Sequence, residues 1–119
     1  MEASMLIAAL EGTGWRYEVT ADDDAYRVRL RDLDTGIADS VAVVCRTAAC
    51  AFACAEFAAA LDRLAGARLA GEPTHEIWLE AMRVRARLNG LADALGEDAE
   101  SLVPPGATPE APRPARTLH

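Results

Sequence analysis

The chain contains no lysine; all twelve of its cations are arginine. That absence removes the P-loop lysine, the Schiff-base lysine and the lysine general base. Serine occurs three times and histidine twice, with His119 at the terminus, so any histidine-dependent mechanism falls to His75. Aromatic residues make up only 5%, and interior packing must rest on Trp15, Tyr17, Tyr26, Phe52, Phe57, Trp78 and the leucines. No apolar run approaches the ~20 residues a helix needs to cross a bilayer. Met1-Glu2-Ala3-Ser4 lacks the cationic start of a secretion signal. Three cysteines form an odd set packed within Cys45–Cys54, which fits reduced thiols better than a disulfide framework. The expectation is a cytoplasmic protein with no membrane span.

What is present is small and acidic. A length of 119 residues accommodates one domain. Alanine occurs 26 times, so much of the apolar content is small side chains that each bury little area. Net charge is −7 and the pI about 4.7. Nine acids face four arginines over residues 1–45, six face six over 46–95, and four face two over 96–119. Nucleic-acid binding needs a basic face to neutralise phosphates, and this balance argues against it.

Local patterning gives the elements. Ser4–Leu10 offers a cap followed by Leu6, Ile7 and Leu10, with Gly12 and Gly14 to end it; this reads as a short helix. Trp15, Tyr17 and Val19 alternate with Arg16, Glu18 and Thr20. After Asp22-Asp23-Asp24, Tyr26, Val28 and Leu30 alternate with Arg27, Arg29 and Arg31, so the two runs predict a hairpin. A two-residue loop pairs Glu18 with Arg27 and a four-residue loop pairs it with Arg29; both oppose unlike charges. Asp34-Thr35-Gly36 reads as the next turn, and Ile37–Cys45 as a third strand. From Thr47 to Leu64 apolar residues occur all round the helical wheel, which predicts a central, buried helix with Cys50, Cys54, Phe57, Leu61 and Leu64 as its bulkiest stripe. Gly66 and Gly71 frame a break. Pro73 opens a second helix, on which Ile77, Ala81, Val84, Leu88, Leu91 and Leu95 form the stripe. Five of six prolines fall between 104 and 114 and predict a disordered, acidic, proline-rich tail over 96–119.

The expected fold is thus α+β: one domain over residues 1–95, a three-stranded antiparallel meander with a short N-terminal helix and two longer helices packed on one face. The order of its first five elements resembles the double-stranded RNA-binding domain. That family's last helix begins with a lysine-rich phosphate-binding signature, whereas the corresponding segment here reads Arg46-Thr47-Ala48-Ala49-Cys50.

Several residues carry candidate chemistry. Leu33-Asp34-Thr35-Gly36-Ile37-Ala38-Asp39-Ser40-Val41 resembles the active-site loop of retroviral-type aspartic proteases, which implies a carboxylate dyad shared across a dimer. A hairpin turn accounts for Asp34 and Gly36 equally. Cys45, Cys50 and Cys54 with His75 would make a Cys3His metal set, but the Cys50–Cys54 pair lies inside a helix, and core packing is the favoured reading. A Cys–His nucleophile pair is the thiol-enzyme alternative. His75-Glu76-Ile77-Trp78-Leu79 starts like a zincin helix and departs from it at Leu79, where the second histidine would stand. Glu56 is expected at a wet edge or paired with arginine, and Glu80–Arg83 as an i,i+3 pair. Arg27, Arg29 and Arg31 form a stripe on the outer face of the hairpin and are the candidate binding residues, since arginine suits partner recognition. The functional expectation is a small acidic, non-catalytic protein-binding or regulatory module, self-associating or not, with no cofactor and no metal. The alternative is a small hydrolase or thiol enzyme using Asp34 or the Cys–His pair.

Overall fold

A computed structural model describes residues 5–23 and 25–96. The elements are β1 (Met5–Glu11), β2 (Trp15–Ala21), β3 (Tyr26–Asp32), β4 (Ala38–Cys45), α1 (Ala48–Leu69) and α2 (His75–Leu95). The architecture is α+β. Beyond Gly96 the expected tail lies outside the described residues.

The strands form one antiparallel sheet in the order β1-β2-β3-β4. The expected N-terminal helix is therefore wrong: residues 5–11 are a fourth strand, paired with β2 from Met5↔Ala21 to Glu11↔Arg16. The cause is a β-bulge. Pairing shifts between Leu6 and Ala8, so Ile7 is an extra residue and the two-residue alternation that betrays a strand is broken. With no helix at the start, the element order no longer matches the double-stranded RNA-binding domain. Gly12 and Gly14 flank the β1–β2 turn rather than ending a helix.

The β2–β3 hairpin follows its alternation. Tyr17, Val19, Val28 and Leu30 are buried on one face, and Glu18 stands across from Arg29, the register of the four-residue loop 22–25. That loop is closed by Asp22 N–H donating to Ala25 O and Ala25 N–H donating to Asp22 Oδ1, both at 3.0 Å.

α1 packs against the inner sheet face, and α2 packs on α1 rather than on the sheet. The molecule thus has three layers with α1 in the middle, and this explains why α1 is apolar all round. Ala51, Ala53, Ala55, Ala58, Ala59 and Ala60 are all buried, as are Cys50, Cys54 and Phe57. Methyl side chains keep little bulk between backbones, so two layers can close on one helix at native packing density. On α2, Ala81, Val84, Leu88 and Ala92 form the buried stripe.

The ends of α1 are chemically defined. Thr47 accepts from Cys50 N–H through its hydroxyl at 3.2 Å, an N-cap worth about 1 kcal/mol. At the other end Gly71 takes φ +72°, and Glu72 N–H donates to Ala67 O at 2.9 Å. Gly66, expected to break the helix, sits inside it. A Cβ there would lie 2.4 Å from Thr13 Oγ1, so the glycine is needed for close approach of the β1–β2 turn.

That turn is locked to α1 by successive side chains of the helix. Asp62 Oδ2 accepts from Gly14 N–H and Trp15 N–H, each at 2.9 Å. Arg63 Nη1 donates to Glu11 O at 3.3 Å. A Cβ at Gly12 would lie 2.4 Å from Asp62 Oδ2. Leu33 N–H also donates to Gly14 O at 3.1 Å, which ties the end of β3 to the same turn. Asp62 acts secondarily on the core: burial above all, and then the nearby Asp62 charge, push the Tyr17 phenol well above its ordinary pKa.

Candidate functional site

Among the described residues the sheet is covered on one face only, and its outer face displays the charged alternation of β2 and β3. Cross-strand neighbours there are Arg16↔Arg31, Glu18↔Arg29 and Thr20↔Arg27, continued onto β4 by Arg27↔Val44. Glu18 does not pair with the arginine directly across from it. Its carboxylate is taken diagonally by Arg31, with Nε at 3.1 Å and Nη2 at 3.3 Å, and Arg16 Nε lies 3.2 Å from the same Oε2 that Arg31 Nε reaches. Arg31 also donates through Nη1 to Gly36 O at 2.8 Å. Its guanidinium is held above the usual arginine value chiefly by the hydrogen bond to Glu18. Arg27 is ion-paired with Asp22.

The three arginines singled out from sequence therefore share a face but differ in state. Arg27 and Arg31 are committed to partners within the chain. Arg29 is exposed and has no ion pair or hydrogen bond among the described residues. Beside this ladder Val44 is exposed on β4. A guanidinium with free donors next to apolar surface, on a rigid strand, has the chemistry to clasp a carboxylate and cover its own stem.

The other sequence candidates fall elsewhere. Asp34 is exposed in the β3–β4 turn, where its N–H donates to Asp32 Oδ1 at 2.8 Å. Thr35 N–H donates to the same oxygen at 3.2 Å, and Gly36, at φ +74°, donates its N–H to Asp32 O at 2.8 Å. A hollow of about 280 Å³ beside it is walled by Trp15, Asp32, Thr35, Ile37 and Ala38. Among its described lining residues Asp32 is the carboxylate, and its Oδ1 already holds the turn. A second hollow of about 320 Å³ lies where Thr13, Arg63, Ala70, Glu72 and Ile77 meet.

Cys45, Cys50 and Cys54 are all buried, free of disulfides, between the end of β4 and the first turns of α1. A hydrogen bond with Cys45 first, and burial second, push the Cys54 thiol far above the usual range. His75 is exposed at the start of α2 and has no hydrogen bond or ion pair among the described residues, so no His75–thiol pair is formed. No group of three or more His, Cys, Asp or Glu among the described residues is arranged to hold a metal ion. Glu56 is paired with Arg87 of α2, and Glu80 lies 3.5 Å from Arg83. Arg85 stacks over the Phe57 ring at 5.4 Å to its centroid, so Arg85 and Arg87 join the two helices.

The residues that lock the β1–β2 turn were not found from sequence. Glu11-Gly12-Thr13-Gly14 between two apolar runs was the available signal, being turn chemistry between strands as readily as a helix stop. No helix among the described residues is long and apolar enough to cross a membrane. The chain matches no protein-family model, no curated protein and no solved structure.

Proposed function

We propose that this chain is a non-catalytic protein-binding module whose uncovered sheet face docks a carboxylate-bearing surface of a partner protein. One observation carries the reading: Arg29 stands exposed at the centre of that face with no partner for its donors among the described residues, while its neighbours Arg27 and Arg31 are tied to Asp22 and Glu18. Those ties also support it. They hold the flanking guanidinium groups in place before any partner arrives, which lowers the ordering cost of binding. Arginine and apolar surface together are typical of interface centres.

The test is affinity capture from the native host with the wild type, Arg29→Glu, and Arg83→Glu on the exposed side of α2. Arg29→Glu loses the captured partner and Arg83→Glu keeps it, with all three proteins melting at similar temperatures. A partner retained by Arg29→Glu removes the sheet face from consideration.

A further inference from the structure

The two edges of the sheet are unequal. β4 carries Asp39, and its pairing with β3 is interrupted between Arg29 and Arg31. Charge and irregular pairing are the usual devices that keep an edge from recruiting another strand. β1 has the bulge at Ile7 but no charge from Met5 to Leu10 and no proline. Its first three residues expose large apolar side chains, Met5 at 64%, Leu6 at 49% and Ile7 at 46%. On the side away from β2 its backbone donors and acceptors have no strand partner among the described residues.

We propose that β1 pairs with β1 of a second copy of this chain, antiparallel and about a two-fold axis, to make a continuous eight-stranded sheet. Charge selects this occupant and this direction. With a net charge of −7, two copies repel over most of their surface. The β1 edge adds no charge to that repulsion from Met5 to Leu10. Its single carboxylate, Glu11, sits at one end of the strand, 3.9 Å from Arg16. Antiparallel pairing centred on the strand sends the two Glu11 groups to opposite ends, roughly 20 Å apart at the strand rise and beyond the Debye length of about 8 Å. Parallel pairing would set them side by side. A two-fold arrangement also closes the assembly at two copies, because each β1 edge is consumed and the charged β4 edges are left outside. This surface is separate from the Arg29 face and does not depend on it.

The full chain is tested by sedimentation velocity from low micromolar to submillimolar concentration, with amide exchange read on β1. The wild type doubles in mass as concentration rises, and alternate amides between Leu6 and Leu10 become protected in step. Ile7→Lys and, separately, Leu6→Lys weaken association by roughly tenfold or more, because each puts a charge from both copies onto the apolar edges being joined. Both positions are exposed, and circular dichroism checks that each variant is folded, so if one fails the other still decides. Arg29→Glu leaves the dimer intact. A wild type that stays monomeric throughout overturns the proposal and leaves the edge to an extended peptide of another protein. A dimer that survives both lysine variants, or that forms without protecting β1, overturns it too.

Discussion

Asp62→Ala should be among the most damaging single changes on the surface of this protein. The carboxylate accepts two amides, Gly14 N–H and Trp15 N–H, each at 2.9 Å. A hydrogen bond to a charged group contributes about 1.5–3 kcal/mol net, and an amide left buried without a partner costs about 1–3 kcal/mol. Gly14 is exposed, and water can replace its bond; Trp15 is half-buried, and its amide is the one left stranded. The expected loss is about 2–4 kcal/mol, against a total of about 5–15 kcal/mol for a domain of ordinary stability. With a urea slope of about 1–2 kcal/mol/M for a chain of this size, the midpoint falls by roughly 1–3 M. Asp62→Asn keeps an acceptor oxygen and should recover about half of the loss. The geometry also fixes a coupling. Gly12→Ala puts a methyl 2.4 Å from Asp62 Oδ2 and 2.6 Å from Asp62 Cβ, an overpacking that costs about 1–3 kcal/mol. In an Asp62→Gly background those atoms are gone, and the Gly12→Ala penalty should shrink by at least about 1 kcal/mol. Equal penalties in the two backgrounds, or an Asp62→Ala loss below about 0.5 kcal/mol, would refute the account of this turn.

Three further expectations concern the packing. Gly66→Ala, which in an exposed helix would stabilise by about 1 kcal/mol, should destabilise here because its methyl meets Thr13 at 2.4 Å; thermal melts should show the sign reversed by adding Thr13→Gly. The three buried thiols should resist a bulky disulfide reagent in the native state and react together once denaturant is added, whereas fast labelling of the folded protein would contradict their placement. Cys54 and Tyr17 both have pKa values raised by folding, so each contributes stability that is full below its unfolded value, about 8.5 for the thiol and about 10 for the phenol. That stability is lost as pH rises toward the folded values, and urea midpoints should fall from about pH 8.5 upward with a steeper fall above about 10.

The sequence spoke clearly where one interaction dominated. In β2 and β3 every second side chain meets the same layer, so Tyr17, Val19, Val28 and Leu30 stand out against Arg16, Glu18, Arg27 and Arg29; opposed charges fit two registers equally, and the four-residue loop decides between them. The all-round apolar wheel of α1 announced a helix with two packed sides. It was silent or misleading where tertiary contact overrides local preference. The bulge at Ile7 erases the period of β1, and alanine-rich stretches favour helix by propensity. Gly66 looks like a break because its reason lies fifty-three positions earlier, at Thr13. The outer arginines were legible as a stripe, but their inequality was not. Which guanidinium remains free depends on Glu18 reaching diagonally to Arg31 and on Asp22 turning back to Arg27, choices that side-chain geometry makes and alternation does not.

Because α2 packs mainly on α1, the described residues present two outer surfaces that are mechanically in series, with an alanine-lined rod as the main link between them. A load applied to α2 reaches the strands chiefly through that rod. Substitutions on the outward side of α2 and on the bare strands should therefore behave as independent dials, each adjustable without retuning the other. Enlarging one of the methyl groups of the rod would instead push both outer layers apart at once.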